Sequence, residues 1–507
     1  MRIMYLSKLP FIFATLAVLP STPAMASPAP ITHASGTPIE NIGRPERARI
    51  EKMLDKALSE AAENLTLIEG QTGFNIRTRL VPERRTVIID LGGGAVPSHT
   101  GGELEDQQHR LALVALDLLR GVVAVDGAEF QFAGHTIHQL RPDPLPPIEP
   151  RQRQGSRTNV APPKVALAGG HGLYFNYQYN DWRAQRDPSN GITEDFITPY
   201  FARDLAIQLS GTGATVLKSR TNDTPVHTPS GEQMWKLAAR YYLQSQLPNQ
   251  TAIWNSLPTA THSLRERDED IRSRPLYANY AGADYAVHLH TDAVDDTTVR
   301  GTRGYYQTGR TVDAQLASQI LCSMKQTIQS VAGYEAWSVV EAPYPADKGE
   351  NRLATMPSVI IELGFHTNAS DALALQGTSF RNAAVKGIER GITDFHAGTA
   401  CSEFRITSIP SFSAPTNSPM DMLVNFEGKP RFPVTLRTRN VTCAEGWSCG
   451  STTLTYSAEQ ASPIKRTFAC NGNANQSGTF RYVAWLTDAS GIKTKEVEYT
   501  YSCTANA

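Results

Sequence analysis

Four polar residues, far apart in this 507-residue chain, are placed where an active site needs them: His171, Glu194, His290 and Glu362. His171 sits in the stretch 164–176, KVALAGGHGLYFN, where the apolar run Val165, Ala166, Leu167 enters Gly169-Gly170-His171-Gly172. Glycines let a backbone turn sharply and approach a neighbour closely, so an imidazole is presented at the end of a buried strand. Glu194 opens a long helical pattern, a position that also suits the helix dipole without any chemistry. His290 ends the strand-like DYAVHLH, and Glu362 follows the apolar SVII. A carboxylate after three β-branched apolar residues is costly unless it is paired or reaches a cleft. His288 shares a strand face with His290 by the period-two rule; His290, nearer the strand end, is the better ligand and His288 a possible supporting group.

Two imidazoles and one carboxylate form the nitrogen and oxygen donor set of a catalytic zinc with an open fourth position. Such a centre acidifies water and polarises a carbonyl, and a second carboxylate beside it is the natural general base. Glu362 fits that second role. No cysteine is needed, which suits an oxidising compartment.

The motifs around these residues carry a resemblance. VALAGGHG, GITEDFITPYFARDLAIQLSGTGATVLKSRTND, SRPLYANYAGADYAVHLHTDA and PSVIIELGFHTNASD follow one another in order. Over about 164–395 the chain resembles the zinc-dependent N-acetylmuramoyl-L-alanine amidases, bacterial wall hydrolases of the type-3 amidase fold. The resemblance implies Zn2+ held by His171, Glu194 and His290, with Glu362 as the catalytic glutamate. Arg274, before Ala278-Asn279, takes a structural or substrate-orienting role. The implied substrate is peptidoglycan, cut at the amide between N-acetylmuramic acid and L-alanine. Several positions depart from the family pattern. Ala168-Gly169 replaces its Asp-Pro, removing a carboxylate near His171, while His288 and Asp292 replace the Ser and Asn that flank its strand histidine. Residues 221–270 exceed what compact members need, and the connection from His290 to Gly304 is too short for the blocking helix of some regulated members. A zinc peptidase cutting within the stem peptide would use the same residues, and an inactive wall-binding protein is the reading that Ala168-Gly169 favours.

The elements that must position these groups follow from pattern. The expected fold is α/β: a catalytic domain at 164–400 with a mostly parallel sheet flanked by helices, because strand and helix patterns alternate there. Helices are expected over 193–210, 312–330 and 383–395, and strands over 214–220, 284–290, 304–307 and 358–361. The segment 221–270 reads as polar and partly helical around 231–244. A small α/β module precedes the domain at 45–140, with helices over 45–69 and 107–122, a strand over 86–91 and two short strands within 129–140. No catalytic constellation is visible in it, and Asp90 beside Gly92–Gly94 lacks the Lys and Ser/Thr of a phosphate loop. Residues 27–44 and the proline-rich 141–163 read as linkers.

The last part, 401–507, reads as an all-β, sandwich-like domain containing disulfides. All six cysteines follow residue 321, none in a C-x-x-C pair, and the working pairing is Cys322–Cys401, Cys443–Cys449 and Cys470–Cys503. Residues 1–26 have the basic start, short apolar run and Ala24-Met25-Ala26 site of a cleaved signal peptide. Export to a periplasmic or extracellular space is therefore expected, with no membrane span afterwards. A formal net charge of −1 gives no basic field for nucleic acid.

Overall fold

The computed structural model describes residues 36–143 and 161–506. The expected signal peptide, the first part of the 27–44 linker and most of the 141–163 linker lie outside the described residues. From residue 36 the chain is already packed: Ile39 and Ile42 are buried in the first core, so 36–43 is part of the module rather than a linker.

That module holds helices α1 (Arg44–Ala62) and α2 (Gly102–Leu119) on a three-stranded sheet of β1 (Arg77–Val81), β2 (Thr86–Asp90) and β3 (Gly127–Gln131). β1 and β2 are antiparallel, β2 and β3 parallel. Helix α1 stops at Ala62, short of the expected 69. Of the two strands expected within 129–140, only β3 forms. The second gives way to a helical turn at Ile137–Leu140, because Thr136 and Gln139 make a reciprocal capping box that starts a helix. Asp90 is structural: its carboxylate accepts from the backbone N–H groups of Gly92, Ala133 and Gly134 at 2.9, 2.8 and 2.8 Å.

The central sheet contains β4 (Lys164–Gly169), β5 (Thr215–Lys218), β6 (Tyr285–Asp292), β7 (Arg303–Tyr306), β8 (Tyr344–Pro345) and β9 (Ser358–Phe365). Their order is β8-β7-β9-β6-β4-β5, and every pairing is parallel except β7 with β9. The flanking helices are α3 (Glu194–Gly211), α4 (Ala239–Gln246), α5 (Arg265–Ala281), α6 (Thr311–Gln329), α7 (Gly349–Arg352), α8 (Ala369–Gln376) and α9 (Thr378–His396).

The sheet has two chemically different faces. Val165, Leu167, Val287, Leu289, Val359 and Ile361 alternate onto one and pack with Phe201 and Leu205 of α3, Ile320 and Met324 of α6 and Ile388 and Ile392 of α9. On the other, Ala166 and Ala286 are small and pack with Ala278 of α5, while Ile360 joins Tyr305 and Tyr344 in the core of the first module. His288, His290 and Glu362 belong to this second face.

Helix α5 is the main element that hydrophobic period does not reveal. Its sequence RERDEDIRSRPLYANYA buries Arg267, Asp268, Glu269, Asp270, Arg272 and Arg274, charges that pair with partners across the interior instead of forming an apolar stripe. In 221–270 the helix forms at Ala239–Gln246, later than the expected 231–244.

Beyond residue 401 eight strands build two sheets, one of three strands and one of five, as a sandwich. The disulfides are Cys322–Cys401, Cys443–Cys449 and Cys470–Cys503, the expected pairing. The first ties α6 to the start of the β region, and Arg390 of α9 pairs with Asp488 at 2.5 Å to hold the same junction.

Ile320 is fully buried between the sheet and α9. Ile320→Ala should lower unfolding free energy by about 2–5 kcal/mol, the cost of a core truncation, read from the urea midpoint. A change below about 0.5 kcal/mol would contradict this packing.

Candidate metal and catalytic site

His171 lies just past β4, in a turn held by buried polar groups. Arg220 donates to the carbonyl oxygens of Gly169 and Asp195 at 2.8 and 3.0 Å. The Asp195 carboxylate accepts from the N–H groups of Gly172, Gln185 and Arg186 at 2.8, 2.9 and 3.1 Å. Gly170 lies directly against His290: a Cβ there would sit 2.1 Å from His290 Cε1. The absence of a side chain lets the His171 and His290 rings stand 4.6 Å apart at 62°.

Glu194, the first residue of α3, completes the group. Its Oε1 is 2.9 Å from His290 Nδ1 and 3.6 Å from His171 Nε2, and accepts from Thr291 N–H at 3.2 Å. One donor atom from each of His171, Glu194 and His290 lies within 4.8 Å of the others, and all three residues are buried. Glu362 reaches the same place through sheet register, since His290 and Glu362 are direct partners of the parallel strands β6 and β9. Its Oε2 is buried without a hydrogen-bond partner. Neutral imidazoles with a carboxylate suit a zinc-class ion, and an unpartnered carboxylate oxygen beside them suits a group waiting for a proton.

A further carboxylate, Glu350 on α7, enters the site, and the sequence reading did not single it out. Its Oε2 lies 3.0 Å from His290 Nε2 as an ion pair and its Oε1 bonds the same nitrogen at 3.3 Å, on the side of the ring opposite Glu194. Its Oε1 pairs with Arg274 and stands 3.5 Å from His288 Nδ1. Arg274, fully buried, also pairs with Asp270, and its Nη2 is 3.4 Å from His171 Nδ1. His288 does not line the cleft; its Nε2 bonds Ser358 Oγ at 3.2 Å. Ala168 is the strand partner of His288, so where the resemblance led one to expect a carboxylate on β4, this chain has a histidine next door and a carboxylate supplied from α7. The exchange of Ala168 and His288 was the available clue; nothing in KGENRL itself distinguishes Glu350.

The electrostatics follow. Burial and the neighbouring carboxylates Asp292 and Glu194 hold the Glu362 carboxyl well above the usual carboxylate range. Burial, with Arg186, His290 and Arg274 around it, pushes His171 well below an ordinary imidazole. Burial opposes charge on His290 too, but Glu350 and Glu194 outweigh it and raise the ring to about 10. Burial takes His288 down to about 4. Glu350 is held well below its ordinary value despite burial, by His290 and Arg274.

Residues 165–394 match the family Amidase_3, N-acetylmuramoyl-L-alanine amidase. This segment is an Amidase_3 domain. LytC of Bacillus subtilis (strain 168), an N-acetylmuramoyl-L-alanine amidase, is 24% identical over 207 residues, 41% of this chain and 32% of that protein. The match thus spans about a third of the curated relative's length. Among solved structures, Ami1 of Mycobacterium smegmatis is 18% identical, with 48% of this chain and 100% of that one covered at a TM-score of 0.32. For the CwlV catalytic domain of Bacillus (Paenibacillus) polymyxa var. colistinus the values are 17%, 46%, 97% and 0.29.

The cleft over the Amidase_3 site has a volume of about 330 Å³, and one wall comes from outside the domain. Glu105, Asp106, His109 and Arg110 of α2 line it together with the Amidase_3 residues. The module shows no catalytic constellation in sequence, yet its helix α2 lines the cleft. His109 Nε2 bonds Asp292 Oδ1 at 2.7 Å, Asp106 pairs with Arg186 at 2.9 Å and also with Arg267, and Glu105 accepts from Gly349 N–H at 2.9 Å. Helix α2 reads as an ordinary amphipathic helix in sequence; only its packing brings these residues to the cleft.

Two substitutions test this geometry. Gly170→Ala should displace the His290 ring and abolish tight zinc binding in a competition titration with a chromophoric chelator. Glu350→Gln, which keeps the shape but removes the charge that faces His290 and Arg274, should weaken zinc about 10–100-fold. Wild-type affinity in either variant would contradict the assigned contacts.

Proposed function

We propose that this chain is an exported zinc-dependent N-acetylmuramoyl-L-alanine amidase that hydrolyses the amide between N-acetylmuramic acid and L-alanine in peptidoglycan. The observation that carries this reading is one cleft in which His171, Glu194 and His290 converge beside the unpartnered oxygen of Glu362. The Amidase_3 match over 165–394 supports the choice of substrate. Three disulfides suit an oxidising compartment, and no described helix is long and apolar enough to cross a membrane.

A zinc ion held by His171, Glu194 and His290 would supply Lewis acidity toward the amide carbonyl and the attacking water. The chain's own groups do the rest. Glu362 takes the proton of the water at Oε2, and burial beside Asp292 and Glu194 makes its carboxyl hold that proton firmly. It then passes the proton to the nitrogen of the departing L-alanine, which leaves as a free amine. His290 keeps its Nδ1 toward the donor cluster because Glu350 accepts at Nε2. Arg274 fixes Glu350 in that position from beneath. The cleft walls from α2 and β6 confine the stem peptide near these groups.

Digestion of purified peptidoglycan with product masses tests the assignment. Stem peptides with a new free L-alanine amine are expected, with activity lost to chelator and restored by zinc. Glu362→Gln should lower kcat by about 10²–10⁴-fold, the contribution of a general acid–base group. Products with a new carboxyl inside the stem peptide, or an undiminished kcat in this variant, would overturn it.

A further inference from the structure

A second group of ligating side chains lies at the junction between the first module and the Amidase_3 domain. His99 stands in the loop just before α2, His262 just before α5, and Asp268 on α5 itself. One donor atom from each lies within 4.8 Å of the other two. The two imidazoles are stacked with centroids 3.9 Å apart at 15°.

The polar atoms here are not used up by the protein. The His262 side chain is only 10% exposed, yet its Nδ1 is buried without a hydrogen-bond partner. Its Nε2 faces Asp268 Oδ2 at 3.7 Å, longer than a hydrogen bond. The other Asp268 oxygen is committed, accepting from Gly102 N–H at 2.9 Å, which leaves Oδ2 turned toward the histidines. On His99, Nδ1 is engaged with Ser98 Oγ at 3.2 Å. His262 thus has one buried nitrogen without a partner and another that faces a buried carboxylate beyond hydrogen-bond distance, an under-satisfied arrangement that a ligand shared with Asp268 would relieve.

The backbone is shaped around the carboxylate. A Cβ on Gly101 would fall 2.2 Å from Asp268 Oδ2, and the Gly101 φ of 170° is extended, so glycine serves here to make room. The Gly101-Gly102 pair thus seats the first turn of α2 directly on Asp268.

We propose that His99, His262 and Asp268 form a second divalent-metal site, separate from the catalytic group, that clamps the first module to the Amidase_3 domain. Two imidazoles and one carboxylate select a borderline ion such as Zn2+ over Ca2+ or Mg2+, which prefer all-oxygen sites. Binding turns the His99 ring out of the stack so that both ring planes point at the ion; its position on a loop permits that rotation. The clamp fixes the start of α2, and through it Glu105, Asp106 and His109 at the cleft wall. Its existence does not depend on which bond the enzyme cuts.

Metal-stripped full-length protein titrated with Co2+, read by visible absorption and by competition with a chromophoric chelator, tests the site. Wild type should bind two equivalents. His171→Ala should retain one, and both His262→Ala and the half-exposed His99→Asn should lose one while keeping the catalytic equivalent. One equivalent in wild type that disappears in His171→Ala, or two equivalents persisting in both His99→Asn and His262→Ala, would overturn the proposal. The His171→Ala result reads the second site even if the catalytic reading fails.

Discussion

His290 is gripped from both sides of its ring: Glu194 at Nδ1, 2.9 Å away, and Glu350 at Nε2, 3.0 Å away. Much of the site can be understood as the means of keeping that arrangement buried. Two carboxylates and an imidazole in a dry interior are expensive unless their charges are answered. Arg274 answers Glu350 and Asp270, Arg186 approaches Glu194 at 3.6 Å and pairs with Asp106, and the two carboxylates raise the proton affinity of the ring between them. A cation at the donor cluster would answer the same carboxylates, and Glu194, which raises the proton affinity of His290, is also one of the residues that could hold it. For Glu362 the pull of His290 and Lys348 does not offset burial and its carboxylate neighbours. Asp292 and Glu194 crowd it and raise its affinity for a proton above that of an ordinary carboxylate, which suits a group that takes a proton and passes it on.

Strand alternation delivers these groups to one place. On β4, β6 and β9 the odd-numbered apolar residues Val165, Leu167, Val287, Leu289, Val359 and Ile361 form the large core with α3, α6 and α9. The even-numbered residues face the other way, where Ala166 and Ala286 leave room and His288, His290 and Glu362 carry polarity. A one-residue slip of β9 against β6 would put Glu362 into the apolar core, so the strength of that core specifies the chemistry opposite it. Parallel strands end together at their carboxyl ends, and the cleft lies there.

The parts of this arrangement that were legible in the sequence are those governed by local pattern. Alternation and helical spacing located the central strands and the helices α3, α6 and α9. The glycine-framed His171, the strand-ending His290 and the carboxylate after SVII stood out because each broke a local rule. Helix α5 did not, because its buried surface is made of charges that pair across the interior, and no hydrophobic period marks such a helix. Glu350 escaped for a related reason. A glutamate in a short polar segment is unremarkable until folding sets it against Arg274 and His290. Residues 36–43 read as linker because Ile39 and Ile42 are too few to make a pattern, and yet both are buried in the core of the first module.

The first module is bound to the catalytic face by contacts that a tethered appendage would not need. Tyr305, Tyr344 and Ile360 of the central sheet belong to its hydrophobic core, so separating the two would expose apolar surface on both. Its helix α2 then lies where its polar face must meet the cleft. His109 bonds Asp292, two residues beyond His290 on the same strand, and Asp106 pairs with Arg186, whose backbone N–H is held by Asp195 next to Glu194. The short connection after His290 leaves no room for an inserted blocking helix from within the domain, yet a helix from the preceding module forms a wall of the same cleft. Glu105, Asp106, His109 and Arg110 thus line the same cleft as the donor cluster, a wall that residues 165–394 alone do not supply. The shape and charge of that cleft are therefore set at the junction as well as by residues 165–394, and the groups that bind the junction together also bound the space over the donor cluster.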